Sequence, residues 1–251
     1  MRIKKTALSA AVIALWLVVW QIGAMLINRD LLIPIPTPLT TLAALWQEGA
    51  NLHFWLIAGA SLLRICVGFA AAVVIGSVCA FFSSRLTWFR ILTAPLIKVV
   101  RSVPVASFII LVFLWLSKGE IPSFIAFLTV CPIVWANVET GFLTTDRQMV
   151  EMARVMGLSN LQIITQITLP GVKPYFVASV ATGLGFAWKA GVAAEVICRT
   201  EFSLGDLLWA EKSAINYDGV FALTVVVVAL SVLLESGVKA LLKGGERHDT
   251  V

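Results

Sequence analysis

Charge is scarce in this chain of 251 residues: only 13% are Asp, Glu, Lys or Arg, against the roughly 25% with which a soluble domain wets its surface. Histidine is rarer still, at two residues, His53 and His248. The four cysteines, Cys66, Cys79, Cys131 and Cys198, are far apart and mostly inside apolar blocks. That leaves neither a zinc site nor a disulfide framework. No Gly-x-x-x-x-Gly-Lys-[Ser/Thr] loop occurs, so the chain has no usual cradle for a nucleotide phosphate. A His-Glu-x-x-His metal motif and a Gly-x-Ser-x-Gly nucleophile elbow are also missing. These absences argue against an enzyme and against an energy source of the chain's own.

Hydrophobic residues make up 59% of the chain, and the mean hydropathy is +0.94. They fall in blocks long enough for a helix to cross about 30 Å of hydrocarbon. An all-α, multi-pass membrane protein follows, read as one domain over 1–251. Six spans are expected near Ala7–Ile27, Trp55–Phe82, Pro95–Leu116, Ile121–Phe142, Pro174–Cys198 and Ile215–Leu242. The first is read as a retained helix, since its apolar run is too long for a signal peptide and no small-residue cleavage site follows.

Positive charge sets the orientation. Arg2, Lys4, Lys5, Arg85, Arg90, Arg147, Arg154, Lys173 and Lys243 gather at one side, against Arg29, Lys118, Arg199 and Lys212 at the other. Both termini are therefore expected in the cytoplasm. The net charge of +5 is then a topology signal and not one for nucleic acid. Lys98 and Arg101 are placed near the inner end of the third span, snorkelling to phosphates.

On the outer side, Pro34, Pro36 and Pro38 impose extended backbone. A short amphipathic helix near Leu42–Glu48 should follow, capped by Thr40 or Thr41. Glu201–Lys212, with Trp209, reads as a second interfacial segment, while Gly244–Val251 reads as a solvated tail. Gly68, Ala72 and Gly76 recur every fourth residue and predict close helix packing.

Thr144–Lys173 is the longest inner loop, and it is patterned. Thr145 with Gln148 predicts a capping box. Met149, Met152, Val155 and Met156 then share a helical face, and Gly157 suits a left-handed helix stop. Ser159 or Asn160 can cap a second helix with Leu161, Ile164 and Ile167 along it, ended by Leu169-Pro170-Gly171. Spacing alone allows two readings of this knob. It lies against its own membrane domain, or it offers adaptable methionines to a partner's groove.

Charges inside the spans are the remaining functional candidates. Lys189 either faces a pore or pairs with a carboxylate. Glu195 and Arg199, four apart, predict an intrahelical ion pair, and Arg64 is expected to snorkel outward. Asn137 and Glu139 either line a cavity or fasten their helix to the inner loop.

Glu151-Met152-Ala153, three residues, Gly157, nine residues, then Ile167-Thr168-Leu169-Pro170 resembles the coupling-loop signature of bacterial ABC importer permeases, with Met152 in place of the usual second alanine. Ile33-Pro34-Ile35-Pro36-Thr37-Pro38, Ser61-Leu62-Leu63-Arg64, Pro95-Leu96, Arg101-Ser102-Val103-Pro104 and Trp188-Lys189-Ala190-Gly191-Val192-Ala193-Ala194-Glu195 resemble the nitrate, taurine, sulfonate and bicarbonate subgroup.

The resemblance implies a type I importer permease in the bacterial cytoplasmic membrane. Its partners would be a second copy of itself, two cytosolic ABC ATPase subunits that bind ATP and Mg, and an external solute-binding protein. Glu151, Met152, Ala153, Gly157, Leu158, Ile167, Leu169 and Pro170 would then meet the ATPase. Lys189, Asn137, Glu139 and Glu195 are the candidates for the translocation path. A small organic or inorganic anion is the implied cargo. A heteroaromatic vitamin precursor of thiamine-precursor or riboflavin type is the alternative, and an ion-driven secondary transporter, which would show inverted repeats and broken helices, is another.

Overall fold

The computed structural model describes residues 2–28 and 34–246. Arg29, Leu31–Ile33 and the tail beyond Glu246, all used in the sequence reading, lie outside the described residues. Among the described residues every regular element is helical. In order these are α1 (Arg2–Ile27), α2 (Pro38–Gly49), α3 (Leu52–Arg85), α4 (Thr87–Ser102), α5 (Val105–Val112), α6 (Ile121–Leu143), α7 (Arg147–Val155), α8 (Asn160–Ile163), α9 (Leu169–Cys198), α10 (Leu204–Ser213) and α11 (Tyr217–Glu246).

Among the described residues four helices are long and apolar enough to cross a bilayer: α3, α6, the run from Asn160 to Cys198, and α11 over Tyr217–Val238. The apolar stretch Ala11–Ile27 of α1 is shorter. The segment expected as a straight span over Pro95–Leu116 is instead a broken pair, α4 and α5, bent by 101°. Pro104 explains the break. It disfavours helical backbone at the residue before it, and Val103 is accordingly extended, at φ −80° and ψ 131°. Residues before Pro95 also fold as helix, so α4 begins immediately after α3.

α3, α6 and α9 form the core. Small residues let α3 and α6 meet backbone to backbone, as the Gly68, Ala72, Gly76 spacing predicts. A Cβ on Gly68 would collide with the Ser123 backbone, and one on Gly76 would lie 2.9 Å from the Cys131 carbonyl oxygen. Ala72 between them is fully buried. Tryptophans fasten helix to helix: Trp188 Nε1 donates to the Val227 carbonyl on α11 (2.9 Å), and Trp135 Nε1 to Ser83 Oγ on α3 (3.0 Å). Each indole thus buries its area without orphaning its N–H.

The proline segment before α2 is extended as expected, and Asn28 holds it through two hydrogen bonds with the Ile35 backbone (2.7 and 2.9 Å). The cap of α2 is Thr37, in a reciprocal box with Thr40, not Thr40 or Thr41 themselves. Pro38 is the reason: its fixed φ suits the first helical position, so the cap falls on the residue just before it. On the same side, α10 carries Trp209 between two cations, with Lys212 Nζ 4.5 Å and the Arg199 guanidinium 5.5 Å from its ring.

Candidate functional site

The inner loop folds as two helices around a glycine turn. Asp146, not Thr145, caps α7, its carboxylate accepting from the Gln148 N–H at 2.8 Å. The Thr145 hydroxyl is engaged behind it, donating to the Gly141 carbonyl (3.2 Å). A carboxylate at this position also suits the positive end of the helix dipole. Gly157 takes φ +80°, and the Leu158 N–H closes back on the Ala153 carbonyl at 3.0 Å, a left-handed stop of the kind glycine favours. Ser159 then caps α8 in a reciprocal box with Gln162.

Leu169-Pro170-Gly171 does not end the second helix. A π turn over Ile164–Thr168 joins α8 to α9, with the Leu169 N–H bonded five residues back to Ile164. Pro170 therefore falls in the first turn of α9, where a missing N–H is tolerated. Within the knob, Ala153 of α7 and Ile163 of α8 are buried. Its opposite side is open: Met149, Met152, Val155 and Met156 are exposed, Val155 by 89%. Glu151, Gly157, Leu169 and Pro170 are exposed too, while Leu158 and Ile167 are half-buried. Leu161, expected on the apolar stripe of α8, also faces outward; the inward residue is Ile163.

The charges within the spans arrange themselves differently from expectation. Glu195 is fully buried and pairs with Arg64 on α3, Nη1 to Oε1 at 2.9 Å, not with Arg199. The Ser61 hydroxyl donates to its other oxygen at 2.8 Å, and the Gly205 N–H approaches that oxygen at 3.4 Å. Ser61 Oγ in turn accepts from the Leu204 N–H (2.9 Å).

Arg199 cannot join this set, because α9 ends at Cys198 and Arg199 turns left-handed, at φ 51°, carrying its guanidinium toward Trp209. Arg64 consequently points inward and does not snorkel. The result is a polar knot that ties the start of α10 to α3 and α9. Glu195 lies inside it, off any open face.

Glu139 meets Arg90 Nε of α4 at 3.2 Å, so it holds α6 to α4 rather than to the inner loop. Asn137 is exposed and donates to the Ile133 carbonyl of its own helix (2.9 Å). Lys189 is exposed on α9 and lines a pocket of about 230 Å³ with Thr182, Phe186 and Glu235. The structure thus brings Glu195 to Arg64 and Lys189 near Glu235, but leaves Asn137 apart from both.

Residues 72–244 match the family model described as "Binding-protein-dependent transport system inner membrane component". The chain belongs to that family. Among relatives of this permease, the taurine transport permease TauC of Escherichia coli is 27% identical over 95% of this chain and 88% of its own length. The nitrate import permease NrtB of Synechocystis is 30% identical over 75% and 70%. A bacterial ABC transporter structure for import of the acidic polysaccharide alginate aligns over 96% of this chain and 97% of its own at 13% identity, with a TM-score of 0.61, which shows a shared fold.

This chain is accordingly the inner-membrane, multi-pass permease of an ABC importer. Sequence reasoning missed the Arg64–Glu195 pair, for which the only local signal was Ser61 and Arg64 three apart on one face of α3. It also missed the bend at Pro104, although a proline inside an apolar run was a visible warning.

Proposed function

We propose that the permease works as a homodimer of six-span subunits with cytoplasmic termini, passing a small anion across the membrane while the α7–α8 knob of each copy seats in a groove on a cytosolic ATPase. The ATPase pair binds ATP and Mg, an external binding protein delivers the solute, and this chain itself makes or breaks no bond. The open methionine face is the observation that carries the coupling role. It projects from a rigid, doubly capped turn, and flexible thioethers suit a groove that changes shape. Support for an anion comes from the exposed Lys189 at mid-helix and from the taurine and nitrate relatives.

Met152→Arg tests the coupling. Burying a methionine contributes about 2 kcal/mol, so a charge there should weaken association with the ATPase roughly thirtyfold or more. Co-elution of the tagged permease with the co-expressed ATPase measures it. Gly157→Val, which strains the left-handed turn, should reduce ATP-driven uptake while the permease still accumulates. Unchanged co-elution and uptake in both variants would refute the coupling role.

A further inference from the structure

The bend between α4 and α5 opens a second pocket, of about 270 Å³, against α6 and α9. Its walls are apolar, with Phe108, Ile125, Ile133 and Phe186 prominent, and among the described residues Arg101 is the one charged residue that lines it. The sequence placed Arg101 at the inner membrane surface. The structure sets it beside Thr129 and Pro132, well within α6, because α4 climbs about 24 Å over its sixteen residues before Pro104 turns the chain.

Phe186, half exposed, also lines the pocket of Lys189 and Glu235, so the two cavities share one aromatic wall. Along α6, Thr129, Ile133 and Asn137 follow at intervals of four; along α9, Thr182, Phe186 and Lys189 follow at four and three. Each set holds one helical face. Thr129 and Ile133 line the Arg101 pocket and Thr182 and Lys189 the adjoining one, while Asn137 lines neither.

An exposed guanidinium at this depth is costly unless water or a ligand meets it. Its planar fork matches the paired oxygens of a sulfonate or carboxylate, which a lysine cannot grip in the same way. The apolar walls around it offer nothing to a small, strongly hydrated ion but can cover a hydrocarbon body. Lys189 shares its pocket with the Glu235 carboxylate, whereas Arg101 shares its own with no other charged side chain among the described residues.

We infer that this pocket is a resting site on the translocation path for an organic monoanion, with Arg101 gripping the oxyanion head and Phe108, Ile133 and Phe186 covering the apolar body. The inference rests on the anion reading above and narrows it from anions in general to those with a hydrocarbon part.

Butane-1-sulfonate and nitrate are the probes, applied to the full-length permease in nanodiscs and followed by thermal unfolding. Butane-1-sulfonate should raise the unfolding temperature of the wild type, and nitrate at equal concentration should not. Arg101→Gln should weaken the sulfonate at least tenfold, Arg101→Lys should restore part of the effect, and Phe186→Ala should weaken the sulfonate alone. No shift with the sulfonate, an equal shift with nitrate, or a shift that survives in Arg101→Gln overturns the site. ATP-driven uptake by the assembled transporter separates the two readings. Anion uptake undiminished in Arg101→Gln sinks the pocket and spares the anion reading, whereas a wild type that moves no anion sinks both.

Discussion

Glu195→Ala is expected to destabilise the permease by about 3–5 kcal/mol, the usual cost of stranding one member of a buried ion pair. Arg64 would keep its charge with its carboxylate gone, and the Ser61 hydroxyl and Gly205 N–H would lose their acceptor. The loss should show as a lower unfolding temperature in detergent and as faster proteolysis at the Arg199–Glu201 turn, since the knot is what pins the start of α10. The double variant Arg64→Met with Glu195→Met should be less damaged than Glu195→Ala alone, because removing both charges also removes their desolvation cost. A double variant as unstable as the single one would show that the pair matters for something other than charge balance.

Gly68→Leu should be comparably severe, at the upper end of the 1–3 kcal/mol typical of overpacking, about 3 kcal/mol. Any Cβ there meets the Ser123 backbone, and backbone cannot step aside as a flexible side chain can. α3 and α6 would have to separate along the most intimate contact of the core. Gly59→Leu is the matched control, on the same helix but with nothing within 4 Å of its Cβ position. The expected readout is a large loss of monodisperse protein for Gly68→Leu and little change for Gly59→Leu. Equal behaviour would mean that helix propensity, not packing, governs α3.

The elements legible in advance were those governed by short-range rules. Hydropathy located α3, α6, α9 and α11, periodicity located the methionine face, and the left-handed preference of glycine located the turn at Gly157. The inner-loop motif pointed to the family before any geometry was known.

What escaped prediction depends on partners distant in the chain. Arg64 and Glu195 are 131 residues apart, so nothing local to either reveals the other, and the nearby Arg199 offered a plausible false partner. Arg101 was misplaced for a related reason. Its depth depends on where α4 starts and where Pro104 bends the chain, and hydropathy averages over both. The run Leu169-Pro170-Gly171 misled because its breaker residues were read without the π turn that absorbs them.

That π turn has one more implication. It makes the stretch from Asn160 to Cys198 a single rod of 39 residues, about 58 Å long at the α-helical rise. One end stands beside the methionine knob and the other holds Glu195. A tilt of about 10° of such a rod about its lower end would swing the upper end by roughly 10 Å. Under the coupling proposed above, a push on the knob would reach the Glu195 end through this one helix.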